Sequence, residues 1–126
     1  MPSLPSTQVV ESLFAALVAN DVAGANALLT DDVTWRNTGL PTARGRLVRR
    51  IITAMPKLRI RFSAVDHVLT NQIDGSVRFD RRDTLRWGPF STTFFVSGVF
   101  EVRDGKVSLW DDRYRMREVL GGLFRR

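Results

Sequence analysis

Residues 8–19 place Val10, Leu13, Phe14 and Leu17 at helical spacing, with Ser6 or Thr7 available as a cap after Pro5, and predict an amphipathic helix. Asn20-Asp21 interrupts the pattern, and Asp21 can cap a second short helix over 22–29 that ends at Thr30-Asp31-Asp32. A short strand is expected at 33–36 and a turn-rich loop at 37–41. Leu47, Val48, Ile51, Ile52 and Met55 then mark a third helix, stopped by Pro56. From there the period changes from helical to two. Residues 57–69 alternate and shift phase at Ala64-Val65, which predicts a bulged, bent strand. After a turn at 71–75, strands are expected at 76–87, 91–102 and 106–114, the last two joined by Asp104-Gly105. A helical turn at 115–120 ends at Gly121-Gly122. Helices followed by four consecutive antiparallel strands describe one α+β domain over residues 1–126, whose curved sheet wraps over helices and leaves a concave face for a small-molecule pocket. The uncharged stretch 87–100 is apolar on both parities (Phe94, Val96 and Phe100 on one, Phe95 and Val99 on the other), which predicts burial on both faces. A partner subunit in a symmetric homodimer is the expected cover, and the chain's own helices are the alternative.

Composition narrows the chemistry. The chain has 126 residues, 44% hydrophobic and 25% charged, with no cysteine and one histidine. Disulfides, Cys nucleophiles, thiolate zinc sites and Fe–S clusters are excluded, as is any metal site needing two imidazoles. His67, beside Asp66 in the bent strand, reads as structural or pocket-lining. Only Lys57 and Lys106 are available for Schiff-base chemistry, so no metal and no cofactor is expected, and catalysis has to be built from Asp, Glu, Arg, Tyr, Trp and amides. The net charge of +6 raises nucleic acid or an anionic membrane as partners. The basic residues are scattered, however, with no run above two and no interleaved aromatics, so neither is expected. No apolar run approaches a membrane span, and Met1-Pro2-Ser3-Leu4-Pro5 lacks the regions of a signal peptide; the expected location is the cytoplasm.

Two strands carry charge in the wrong parity. At 76–87 the odd positions are Val77, Phe79, Arg81, Asp83 and Leu85, so Arg81 and Asp83 point with the apolar residues toward the core. In the last strand Trp110, Asp112 and Tyr114 share a face. An unpaired buried ion costs several kcal/mol, so these charges have to be paired, and an Arg between two inward acids satisfies both. Two such carboxyls tend to share a proton; one donates while the other accepts, which is push-pull general acid-base catalysis. The alternatives are a buried network that only fixes the fold, or an edge strand whose odd face is wet.

The segments Phe79-Asp80-Arg81-Arg82-Asp83-Thr84-Leu85, 99–107 and Trp110-Asp111-Asp112-Arg113-Tyr114 together resemble the limonene-1,2-epoxide hydrolase family. Upstream, Trp35-Arg36-Asn37 with Leu40-Pro41 and Gly45-Arg46 is similar to that family's Tyr-x-Asn segment and the following loop, so the resemblance spans residues 8 to 120. It implies a cone-shaped, antiparallel-rich mixed sheet packed on N-terminal helices, the nuclear-transport-factor-2-like shape. It also implies one-step, metal-free hydrolysis of an apolar, terpene-like or other lipophilic epoxide to a vicinal diol. Asp83 would protonate the epoxide oxygen, Asp112 would deprotonate the attacking water, and Arg81 would bridge them. Asn37 would hold the water, with Trp35 standing where the family has a tyrosine; Trp donates but does not accept. Phe79, Leu85, Trp110 and Tyr114 would line the pocket. Members are usually homodimers. An epoxide-opening cyclase or isomerase of the same fold, and a non-catalytic binding module, are the alternative functions.

Overall fold

The computed structural model describes residues 5–124; Met1–Leu4, read above for export features, and Arg125–Arg126 lie outside them. Helix α1 (Ser6–Val18) buries Val9, Val10, Leu13 and Phe14 on one face. It starts on Pro5 without a side-chain cap, so Ser6 and Thr7 lie inside the first turn instead of capping it. Phe14 is the hub of the core, with ring centroids 4.8–5.9 Å from those of Phe62, Phe79, Phe100 and Trp110.

Helix α2 (Val22–Ala27) is capped by Asp21, whose carboxylate accepts from the Gly24 amide at 2.9 Å. It stops two residues earlier than expected. Strand β1 (Leu29–Asn37) correspondingly begins four residues before the expected Val33, because the Leu28 carbonyl accepts from Val107 N–H and Arg49 clamps the Leu29 and Thr30 carbonyls at 2.9 and 3.0 Å. Strand β2 (Ala43–Arg44), which local pattern did not signal, pairs with β1. Helix α3 (Arg46–Lys57) runs through Pro56, which lies in its last turn and so removes only one hydrogen bond.

Strands β3 (Ile60–Asn71), β4 (Val77–Trp87), β5 (Phe90–Arg103) and β6 (Lys106–Arg113) form the expected antiparallel meander. The bulge in β3 falls between Val65 and Val68, where Asp66 takes φ +57°, one or two residues after the phase shift. The sheet order is β2-β1-β6-β5-β4-β3, with β1 parallel to β6 and every other pair antiparallel. Helix α4 (Met116–Phe124) continues through Gly121-Gly122 instead of ending there; its Val119 carbonyl accepts from Thr92 Oγ1 at 2.7 Å, which lays the helix on β5.

Burial of 87–100 on both faces does not occur within the chain. Phe94, Val96 and Phe100 are buried, but Phe95 is 48% exposed, Phe90 49% and Trp87 63%. On the outer parity of β5, Ser91, Thr93 and Phe95 are exposed and Ser97 and Val99 half-buried among the described residues. Among the described residues no helix is long and apolar enough to cross a membrane.

Candidate active site

The inward parity of β4 is buried from Val77 through Asp83, and the charges at Arg81 and Asp83 are buried with it. Arg81 is 1% exposed. Its Nε donates to Asp83 Oδ1 at 2.9 Å and its Nη2 to Asp83 Oδ2 at 3.1 Å, a two-point contact along one strand. The same Nη2 donates to Asp112 Oδ2 at 2.9 Å. The guanidinium rests on the faces of Phe14 and Phe79, 4.4 and 5.1 Å from the ring centroids.

Strand β6 adds a second donor. Trp110 Nε1 donates to Asp112 Oδ2 at 2.8 Å, as i and i+2 on one strand face allow. The parallel pairing of β1 with β6 sets Trp35 opposite Trp110 and Asn37 opposite Asp112. The two indoles stack at 4.3 Å with planes 18° apart. The Trp35 N–H lies close enough to Asp112 to favour its ionised form, yet makes no hydrogen bond; Arg81 Nη1 and Asp112 Oδ1 are likewise buried without partners. Tyr114 Oη donates to Asn37 Oδ1 over a long 3.4 Å.

Burial, opposed by Arg81, pushes Asp83 up to about 6, and the neighbouring Asp112 charge adds to the rise. Burial also raises Asp112, against Arg81, Trp110 and Trp35, all of which favour its carboxylate. The Tyr114 hydroxyl is raised by burial and by Asp112. Each carboxylate accepts two N–H bonds, Asp83 both from Arg81 and Asp112 one from Arg81 and one from Trp110. Burial thus pushes both carboxyls toward their protonated forms.

These groups face a cavity of about 270 Å³ with Arg81, Asp83, Asp112, Asn37 and Trp35 in its wall. Leu85, Trp110 and Tyr114 line it as expected from their parity. Phe79 does not. It has no exposed surface and lies in the core between Phe14 and Phe100, because Arg81 and Phe14 cover it from the cavity. His67 is exposed at the β3 bulge, with its edge on Phe79 and Nε2 2.8 Å from the Ala64 carbonyl, outside the cavity wall. The rest of the wall comes from Leu17, Leu40, Ile52, Met55, Ile60, Phe62, Phe94 and Val96, none of which sequence reasoning assigned to a pocket. The helical members were legible only as apolar stripes. Phe14, which supports Arg81, was legible as a core position and not as a platform for a cation.

Residues 5–125 match the family described as the limonene-1,2-epoxide hydrolase catalytic domain. The chain is 34% identical over 117 residues to epoxide hydrolase EphG of Mycobacterium tuberculosis, covering 92% of this chain and 77% of that protein. A solved M. tuberculosis LEH-like epoxide hydrolase superposes with a TM-score of 0.88 at 32% identity, covering 96% of this chain and 90% of that one. An NTF2-like protein from Burkholderia xenovorans LB400 shares the fold, with a TM-score of 0.77 at 19% identity over 98% of both chains. On the combined strength of these matches, the chain belongs to the limonene-1,2-epoxide hydrolase family.

Proposed function

We propose that this epoxide hydrolase opens an apolar, terpene-like or other lipophilic epoxide to a vicinal diol in one metal-free step, acting as a homodimer in the cytoplasm. The observation that carries the reading is a single buried guanidinium bonded to two carboxylates in the wall of a largely apolar cavity. Asp83 is the general acid. With its proton affinity raised to about 6, roughly a tenth of it is protonated at pH 7, and it delivers that proton to the epoxide oxygen as the C–O bond breaks. Asp112 is the general base, taking a proton from the water whose oxygen bonds to the ring carbon. Protons balance: one leaves Asp83, one arrives at Asp112, and exchange with solvent resets the pair.

Arg81 holds both acids at fixed distances and limits their repulsion. Asn37 positions the water through its amide, and the Trp35 N–H, buried without a partner, is suited to donate to the water oxygen. The apolar wall supports a lipophilic substrate, because a polar one would lose its hydration there without replacement. The lack of cysteine, the single histidine and, among the described residues, the absence of any cluster of three His, Cys, Asp or Glu support a metal-free route.

The deciding experiment is a single turnover in oxygen-18 water with a panel of terpene and aryl epoxides. Label in the first-turnover diol is expected; unlabelled diol means an enzyme ester and overturns the one-step mechanism. No turnover of the panel, with internal cyclisation of a hydroxy-epoxide instead, replaces hydrolysis with cyclase chemistry.

A further inference from the structure

Arg81 and Asp112 bond to each other across a strand that belongs to neither. Strand β5 lies between β4 and β6, so the Arg81 and Asp112 side chains together bridge two strand spacings, roughly 9.6 Å, over the face of β5. The register puts Gly98 in that path, opposite Phe79 on one side and Asp112 on the other. A Cβ on Gly98 would lie 2.8 Å from Asp112 Oδ1, 2.8 Å from Phe100 Cε1 and 2.9 Å from Arg81 Nη1. Backbone strain does not call for glycine here, since Gly98 is absent from the positive-φ positions; the requirement is one of space.

We propose that Gly98 is a positioning residue of the reaction: its missing side chain leaves the room that Arg81 Nη1 and Asp112 Oδ1 occupy beside the Nη2–Oδ2 bond. The neighbouring inward residues of β5, Val96 and Phe100, fill the same face with side chains, so the clearance is confined to the row where the bridge crosses. The inference rests on the reading of the Asp83-Arg81-Asp112 set as catalytic, and adds a residue that touches neither substrate nor water.

The test is Gly98→Ala in the full chain. The three neighbours of that Cβ are buried, so a folded protein with a lowered melting temperature is expected. Its kcat is expected to fall about tenfold or more with KM nearly unchanged. The acid limb of its pH-kcat/KM profile should move to higher pH, because Asp112 loses part of the guanidinium that keeps it ionised. A role confined to packing β5 would lower the melting temperature and leave the pH limb in place.

Urea unfolding of Gly98→Ala, Arg81→Lys and the double variant closes a thermodynamic cycle. Lysine lacks Nη1, so Gly98→Ala is expected to cost less in that background. Wild-type kcat and an unmoved limb in folded Gly98→Ala overturn the proposal. So do additive unfolding energies, or failure to fold in both backgrounds, since the crowding would then belong to the sheet. Wild-type activity in Asp83→Asn instead overturns the reading of the acid pair itself, a result that involves no change at Gly98.

Discussion

Asp83 and Asp112 are the same side chain in different company, and their expected behaviour on substitution differs accordingly. Asp83→Asn and Asp112→Asn should each lower kcat by about 100- to 10,000-fold while leaving folded protein. The double carboxamide should be little worse than either, because the two act as one device. Stopped-assay kinetics beside circular dichroism check this; near-wild-type turnover in Asp83→Asn removes it from the acid's role. On the proposed role of Asp83 as the acid, with its titration raised to about 6, kcat/KM should decline as pH rises through that region. Stability follows the same sign. A carboxyl with folded-state pKa raised above its ordinary 3.8 binds its proton more tightly when folded, so its contribution is most favourable at low pH and is lost as pH rises through about 6. The melting temperature of Asp83→Asn minus that of the wild type should therefore become more positive between pH 5 and pH 8. Arg81→Gln should be the most destabilising of the three, by about 3–5 kcal/mol, because two buried carboxyls lose their shared counter-ion.

Local pattern reaches as far as an element and no farther. Strand alternation made Arg81, Asp83 and Asp112 visible as inward charges, since side-chain direction on a strand is set by parity alone. Depth is not: Phe79 shares that parity and lies two residues from Arg81, yet Phe14 from a helix 65 positions away seals it off. The pairing of Trp35 with Trp110 was equally out of reach, since a parallel partner is chosen by the whole sheet, and the early start of β1 depends on the same pairing together with Arg49. Boundaries shifted for similar reasons. The cap of α2 was legible because Asp21 and Gly24 are neighbours. Asp21→Ala should cost about 0.5–2 kcal/mol in unfolding free energy with no change in kcat or pH profile, which serves as the control for substitutions at the site.

At the scale of the whole molecule, the outer face of the sheet carries Phe95, Val65 and Val68, each about half exposed. Light scattering at micromolar concentration should give twice the chain mass, and Phe95→Arg should shift it to the monomer; a monomeric wild type refutes the dimer and leaves the acid pair untouched. The parallel pairing of β1 with β6 has a different consequence, one of timing. Asn37 and Tyr114 meet across 77 residues of chain, with β2, α3 and the four strands of the meander lying between them. Closing such a loop is favourable only once the meander exists to receive β1, so the last seam to close is expected to be the one that brings Asn37 and Trp35 to the site. Hairpins that form early hold Arg81 beside Asp83 without Asn37 or Trp35. Catalytic activity during refolding should therefore return with the slowest phase, behind the recovery of β-sheet signal, and no half-folded form of this chain should turn over an epoxide.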